Sequence, residues 1–319
     1  GEWTNFRIDP FGKILLSPTL SALHYGQAIF EGMKAYKNTD GVITLFRPLE
    51  NLKRLNRSAV RMCMPELPEN IFMEGMQKLI SIDKDWIPTT SGSSLYIRPF
   101  MFATDDYLGV KPSEHYSFMI YACPVNAYYS HPLKVRIEET YTRASKGGVG
   151  AAKCAGNYAA SMYPTKLAQQ DGYDQVLWTD GDEHQYLEET GTSNVFAICG
   201  DTVYTPELSD SLLAGITRDS IIRLLKDYGL NVVEQKISID NLLQWHKNGE
   251  LTEMFVSGTA ATVTNIELFG YKGNNYEVNH TDNLLSTRIL EDFNNIKTLK
   301  VEDRFNWNTV VNESEFIAL

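Results

Sequence analysis

The alternation of apolar and polar positions divides the first half of the chain into short strands and amphipathic helices. Residues 12–16 and 24–36 read as short strands with a turn between them. Pro48 suits the first turn of a helix. From there Leu49, Leu52, Leu55, Ala59 and Met62 recur at helical spacing and are expected to face the core, while Arg54, Arg57 and Arg61 share another face. A second helix is predicted over 69–86, with Met76, Leu79 and Ile80 inside. Residues 94–102 alternate as a strand, which puts Tyr96, Arg98 and Phe100 on one face, and Pro99 marks an edge or a bulge. Residues 116–125 form another strand. The polar stretch 126–132, containing Pro132, reads as a connection between domains.

The second half continues with a strand over 133–137 and a helix over 155–170, closed by Gly172. Asp180-Gly181 between the apolar runs 176–178 and 185–187 predicts a hairpin. Residues 188–194 lead into a strand over 195–198. Adjacent glutamates on a strand point to opposite faces, so only one of Glu188 and Glu189 can look into a pocket; exposure is the ordinary state for both. Gly215 precedes an amphipathic helix carrying Ile221, Ile222, Leu224 and Leu225. Free N–H groups and the helix dipole make such a start an anion cradle, although many helix starts bind nothing. Ser238 is placed to cap a helix running to Trp245, and residues 254–261 bring a strand to a turn of small residues. No internal repeat and no low-complexity segment is present.

At 319 residues and 43% hydrophobic content, the chain can build two ordinary domains. A net charge of -11 argues against a nucleic-acid partner and against an anionic membrane surface. No apolar run approaches the roughly 20 residues that span a bilayer, and no signal-peptide pattern opens the sequence given. The four cysteines lie far apart, so free thiols and a cytoplasmic setting are expected. The six histidines lack metal-ligand spacing, so no metal is expected.

Candidate chemistry centres on residues 147–158, where Lys153 stands among glycines and alanines and Tyr158 follows. A lysine in a partly desolvated pocket loses its charge readily and attacks carbonyls. A flexible Gly/Ala loop with a solvated lysine is the plain alternative. A phosphate-binding P-loop is excluded, because Ala152 replaces its second glycine and Cys154 its Ser/Thr. Arg98, between Tyr96 and Phe100 on one strand face, is either an anion site or an ordinary exposed arginine.

Taken in order, these stretches closely resemble the branched-chain amino acid aminotransferases of the fold type IV pyridoxal-phosphate enzymes. The resemblance runs through residues 30–36 (FEGMKAY), Arg54, Tyr96-Ile97-Arg98-Pro99, Lys153 to Tyr158, Glu189 to Asn194, Ala214 to Asp219 and Ser257-Gly258-Thr259-Ala260. It implies a mixed α+β / α/β fold: a small N-terminal α+β domain over 1–126, a linker over 127–132, and a larger domain over 133–319 with a pseudo-barrel of strands carrying the lysine. It also implies pyridoxal 5′-phosphate as cofactor and a homodimer whose neighbouring subunit closes the pocket through the Leu108-Gly109-Val110 loop.

The resemblance assigns roles. Lys153 would hold the cofactor and move the proton between substrate Cα and cofactor C4′. Glu189, which starts the Glu-x-Gly-x-x-Asn pattern, would pair with the pyridine nitrogen. Tyr158 would bond the phenolic oxygen. Arg54, the N–H groups of Ile216 and Thr217, and the Thr259 hydroxyl would bind the phosphate. The substrate α-carboxylate would meet Tyr96 and the amides of Thr259 and Ala260. Phe30 and Tyr25 would wall the side-chain pocket, and Arg98 would receive a glutamate side chain. The implied reaction is reversible transamination between leucine, isoleucine or valine and 2-oxoglutarate. D-Amino acid aminotransferases and aminodeoxychorismate lyases share the lysine and glutamate but fit Tyr96-Ile97-Arg98 less well. A cofactor carrier without turnover would not need Glu189. One departure from some animal members is that Ala261 and Thr264 replace a Cys-x-x-Cys pair, which argues against thiol control there.

Overall fold

In the computed structural model, residues 2–90, 92–278 and 284–311 are described. Residues 2–124 with 308–311 form one unit and residues 125–307 a second, each with its own sheet. The strand near the chain's far end therefore belongs to the first unit, where a strictly sequential division would give it to the second.

The first unit is built on the strand Ser94–Ala103, which pairs with Ala28–Phe30, Met33–Lys37 and Tyr116–Val125. Ile43–Phe46 pairs with Met33–Lys37, and Asn308–Val310 with Ile43–Phe46. Alternation sorts the central strand as expected: Leu95, Ile97 and Met101 are buried, whereas Tyr96, Arg98 and Phe100 are half-buried on the other face. Pro99 lies where the pairing passes from one short strand to the next, and its carbonyl accepts from the Glu31 N–H at 2.7 Å. The helix Pro48–Arg61 buries Leu52, Leu55 and Ala59, while Leu49 is exposed.

Three local expectations change here. Residues 12–16 form no strand: Leu15 is fully exposed, and the alternating pattern there has no sheet edge to pair with. The 24–36 stretch begins as the end of a short helix, Ser21–Tyr25, before the two strands. The helix expected over 69–86 stops at Ile82 and is followed by a 3-10 turn, Lys84–Trp86.

In the second unit Asn194–Cys199, Leu251–Gly258, Thr262–Tyr271, Leu133–Ile137, Gln175–Thr179 and Leu187–Thr190 are paired in that order. The last pairs back to the first through Glu189 and Asn194. The strands thus close into a ring, the pseudo-barrel that the resemblance implied. Leu133, Val135, Val195, Met254, Val256 and Ile266 belong to its core. The helices Ala155–Gln170, Ile216–Asp227, Ile239–Lys247 and Leu285–Lys297 accompany it. Ser238 caps the third of these, accepting from the Asn241 N–H at 3.0 Å. Asp180-Gly181 does turn the chain, but as a long loop. The Asp180 carboxylate accepts from the N–H groups of Glu183, Gln185 and Tyr186, so the returning strand begins only at Leu187. Among the described residues no helix is long and apolar enough to cross a membrane.

One buried carboxylate ties a ring strand to a helix. Glu253, 3% exposed, accepts from the N–H groups of Leu285 (2.8 Å) and Ser286 (2.9 Å), satisfying donors that a helix start leaves open. Hydrogen bonds to a charged group contribute about 1.5–3 kcal/mol. Glu253→Ala is therefore expected to lower the urea midpoint by roughly that amount of stability; an unchanged midpoint would remove Glu253 from the account of this helix.

Candidate active site

The small residues before Lys153 are explained by packing. A Cβ at Gly150 would overlap the backbone of Ser211, and the Ala151 N–H donates to the Asp210 carbonyl at 2.8 Å. Gly147 sits at φ +73, in the left-handed region that favours glycine. The Asn157 amide stitches the same loop by donating to the carbonyls of Val149 (2.8 Å) and Ala152 (2.9 Å). The loop is thus held from both ends, which counts against the flexible-loop alternative. Lys153 is half-buried just before the Ala155–Gln170 helix, and its Nζ donates to the Tyr158 hydroxyl at 2.6 Å.

Glu188 and Glu189 are both buried, 7% and 5% exposed, against the expectation that exposure is ordinary for such a pair. Glu189 Oε1 lies 2.8 Å from Arg143 Nε. Its Oε2 accepts from Asn194 Nδ2 and from the Leu213 N–H, both at 3.3 Å. The Arg143 guanidinium also donates to the carbonyls of Gly150 (3.1 Å) and Ser211. One arginine therefore joins the lysine loop, the acidic strand and the segment that leads to the next helix. Sequence reasoning missed Arg143, which lies in a loop without periodicity. It also missed Ser211, whose hydroxyl donates to Glu188.

The Ile216–Asp227 helix starts at Gly215 with no side-chain cap, and a Cβ at Gly215 would overlap Asn194 Oδ1. Thr217 is buried and Ile216 half-buried in its first turn. Thr259 and Ala260 are half-buried just after the Leu251–Gly258 strand. There a Cβ at Gly258 would come within 2.9 Å of Ser193 Oγ. The hydroxyls of Ser193 and Ser257 are buried without hydrogen-bond partners. Within the second unit, a chain of hydrogen bonds and close contacts thus links the lysine loop, Glu189 and the helix start, and the Ser193–Gly258 contact lies beside Asn194.

The first unit assembles Phe30, Tyr96 and Arg98. Arg98 donates to the Tyr96 hydroxyl at 2.9 Å, and its guanidinium carbon lies 4.6 Å from the centre of the Phe30 ring. A Cβ at Gly32 would overlap the same hydroxyl, so glycine there makes room for Tyr96. Tyr25, 41% exposed, ends its short helix with its ring 6.1 Å from that of His24. Arg54 departs from its helix neighbours: Arg57 and Arg61 are exposed, but Arg54 is 5% exposed. It grips the fully buried Glu31 as a fork, Nε to Oε1 at 2.7 Å and NH2 to Oε2 at 2.8 Å. On the strand between, burial pushes the Lys34 ammonium down to about 8.

The family model of amino-transferase class IV matches residues 28–269. The chain is 46% identical over 314 residues to a "probable branched-chain-amino-acid aminotransferase" of Staphylococcus aureus (strain N315), covering 97% of this chain and 87% of that one. Identity is also 46% to "branched-chain-amino-acid transaminase 1" of Bacillus subtilis (strain 168), covering 97% and 88%. Among solved structures, a branched-chain amino acid aminotransferase of the source abbreviated T.th., in complex with N-(5′-phosphopyridoxyl)-L-glutamate, aligns with a TM-score of 0.78 at 28% identity. That alignment covers 93% of this chain and 94% of the other. The chain belongs to the class IV aminotransferases and, within them, to the branched-chain-amino-acid aminotransferases.

Proposed function

We propose that the chain transfers an amino group reversibly between L-leucine, L-isoleucine or L-valine and 2-oxoglutarate, using pyridoxal 5′-phosphate held on Lys153. The observation that carries this reading is the 2.6 Å contact of Lys153 Nζ with Tyr158, in the same unit as the arginine-held Glu189. The residues present fit the cofactor: an amine beside a phenol, a buried carboxylate, and a helix start without a side-chain cap. When bound, the cofactor supplies a sink for the electron pair left at Cα when its proton is removed.

The chain's own groups do the rest. Lys153 takes the proton from Cα and returns it at the cofactor's C4′. Glu189 stays ionised beside Arg143 and holds a proton on the ring nitrogen. Tyr158 donates to the phenolic oxygen. The N–H groups of Ile216 and Thr217, the Thr259 hydroxyl and Arg54 bind the phosphate. Tyr96 and the amides of Thr259 and Ala260 take the α-carboxylate, while Phe30 and Tyr25 line the side-chain pocket. Glutamate as partner substrate is supported by the phosphopyridoxyl-glutamate ligand of the solved relative. Action as a homodimer is supported by the exposed apolar residues Leu108 and Val110. The deciding experiment offers L-leucine, D-alanine and L-glutamate as donors to the loaded protein; turnover of D-alanine alone would overturn the reading.

Arg98 stands against an aromatic wall, its charge offset by no carboxylate in the contacts it makes with Tyr96 and Phe30. A polar site discriminates more sharply than an apolar one. Arg98→Met is expected to leave the half-reaction with L-leucine largely intact and to cripple the one with L-glutamate. Single-turnover rates for each amino acid measure this, and a parallel loss for both would move Arg98 to the α-carboxylate.

Arg54 invites a different measurement, because its removal leaves Glu31 buried beside no guanidinium. Breaking a buried pair costs about 3–5 kcal/mol. Arg54→Ala is expected to lower the melting temperature of the cofactor-free protein, whereas Arg57→Ala, at an exposed site, is not. An unchanged melting temperature with weakened cofactor binding would leave Arg54 the phosphate role alone.

A further inference from the structure

Glu188 is used by none of the roles above, yet it is 7% exposed and shares its surroundings with Glu189. Its Oε1 accepts from the Ser211 hydroxyl, and its Oε2 is buried without a partner. The charged groups acting on it are Arg143, Glu189 and Asp180. Arg143 is already committed: its Nε meets Glu189, and its NH2 meets the carbonyls of Gly150 and Ser211. Two buried carboxyl groups thus share one guanidinium. Like charges so placed cannot both ionise cheaply, and an ionised carboxylate with an unpartnered buried oxygen is costly.

We propose that Glu188 is a positioning residue that works in its protonated form: neutral, it anchors Ser211 and leaves Arg143 to Glu189; ionised, it competes with Glu189 for that guanidinium. Ser211 is the joint that makes this matter. Its hydroxyl goes to Glu188, its carbonyl to Arg143, and its backbone packs against Gly150, three residues before Lys153. Past Ser211 the chain reaches Leu213, whose N–H holds Glu189, and then the Gly215 helix start. The proton on Glu188 therefore bears on both the acidic end and the proposed phosphate end of the site. Burial raises this carboxyl, and Glu189 and Asp180 add to the rise. Ser211 and Arg143 oppose it, and the balance stands at about 7.

The test uses wild type, Glu188→Gln and Ser211→Ala. Glutamine keeps the shape and an oxygen for Ser211 but never ionises. A carboxyl raised by folding stabilises the folded state fully below its unfolded value of about 4.5, and that stabilisation is lost as pH rises through about 7. Melting curves of the cofactor-free proteins are therefore expected to coincide near the acid end of the range. By about two pH units higher, wild type should fall a few degrees below Glu188→Gln. Ser211→Ala removes a donor that favours the charged form, so its own fall should come at higher pH. Parallel curves for wild type and Glu188→Gln overturn the proposal. If Glu188→Gln does not fold, the infrared band of a protonated carboxyl in wild type, titrating near neutrality and moving upward in Ser211→Ala, decides instead; its absence overturns the proposal.

The positioning role rests on the proposed cofactor reading and has a separate readout. The dissociation constant for pyridoxal phosphate should match in wild type and Glu188→Gln at acid pH. At basic pH it should be weaker in wild type by about fivefold or more. Equal constants throughout overturn the positioning role. A protein that takes up no cofactor at all overturns the proposed function, while the melting curves still judge the neutral acid.

Discussion

The ring of strands closes at one paired position, Glu189 opposite Asn194, and the acidic end of the site depends on that closure. The same asparagine bonds Glu189 and the Leu213 carbonyl, and its strand neighbour across the ring is Ser257, beside the Gly258 turn. A carboxylate buried at such a seam would be prohibitively costly alone. Arg143 removes that cost, and because its remaining donors go to backbone carbonyls on two loops, neutralising the charge and shaping the site are one arrangement. Removing the arginine would unfasten the loops as well as strand the charge.

The first unit solves a smaller problem of the same kind. Arg98 is kept in an apolar wall by a phenol and an aromatic face rather than by a carboxylate. The glycine at 32 is what lets the phenol stand there. The buried pair of Arg54 and Glu31 fixes the turn between the two short strands, since Glu31 also accepts from the Gly32 N–H at 3.3 Å. A charge held by aromatic groups and a charge matched by its opposite thus sit on neighbouring elements of one sheet.

What could be read from the sequence was what depends on local repetition. Helical spacing located 48–61 and 155–170 within a residue of their observed bounds, and alternation sorted Leu95 and Ile97 from Tyr96 and Arg98. Motif order pointed to Lys153 and Tyr158, which the structure brings into contact. What could not be read depends on distant partners. Alternation at 12–16 looked like a strand because a pattern does not reveal whether an edge is waiting. Glu188 looked solvent-bound because nothing nearby in sequence announces Ser211 or Arg143. Arg54 shares its helix stripe with Arg57 and Arg61, and only the fold brings a carboxylate to the first of them.

The pairing of Asn308–Val310 with Ile43–Phe46 has a consequence for how the molecule is made. On the ribosome, the strand at 43–46 emerges early and keeps one edge open while the whole second unit is synthesised. Its ring in turn needs Leu133–Ile137 to wait for Thr262–Tyr271. Such long waits slow folding and leave strand edges available to the wrong partner. The second unit is in effect an insertion within the first, and the first can complete its sheet only after the chain has returned from it.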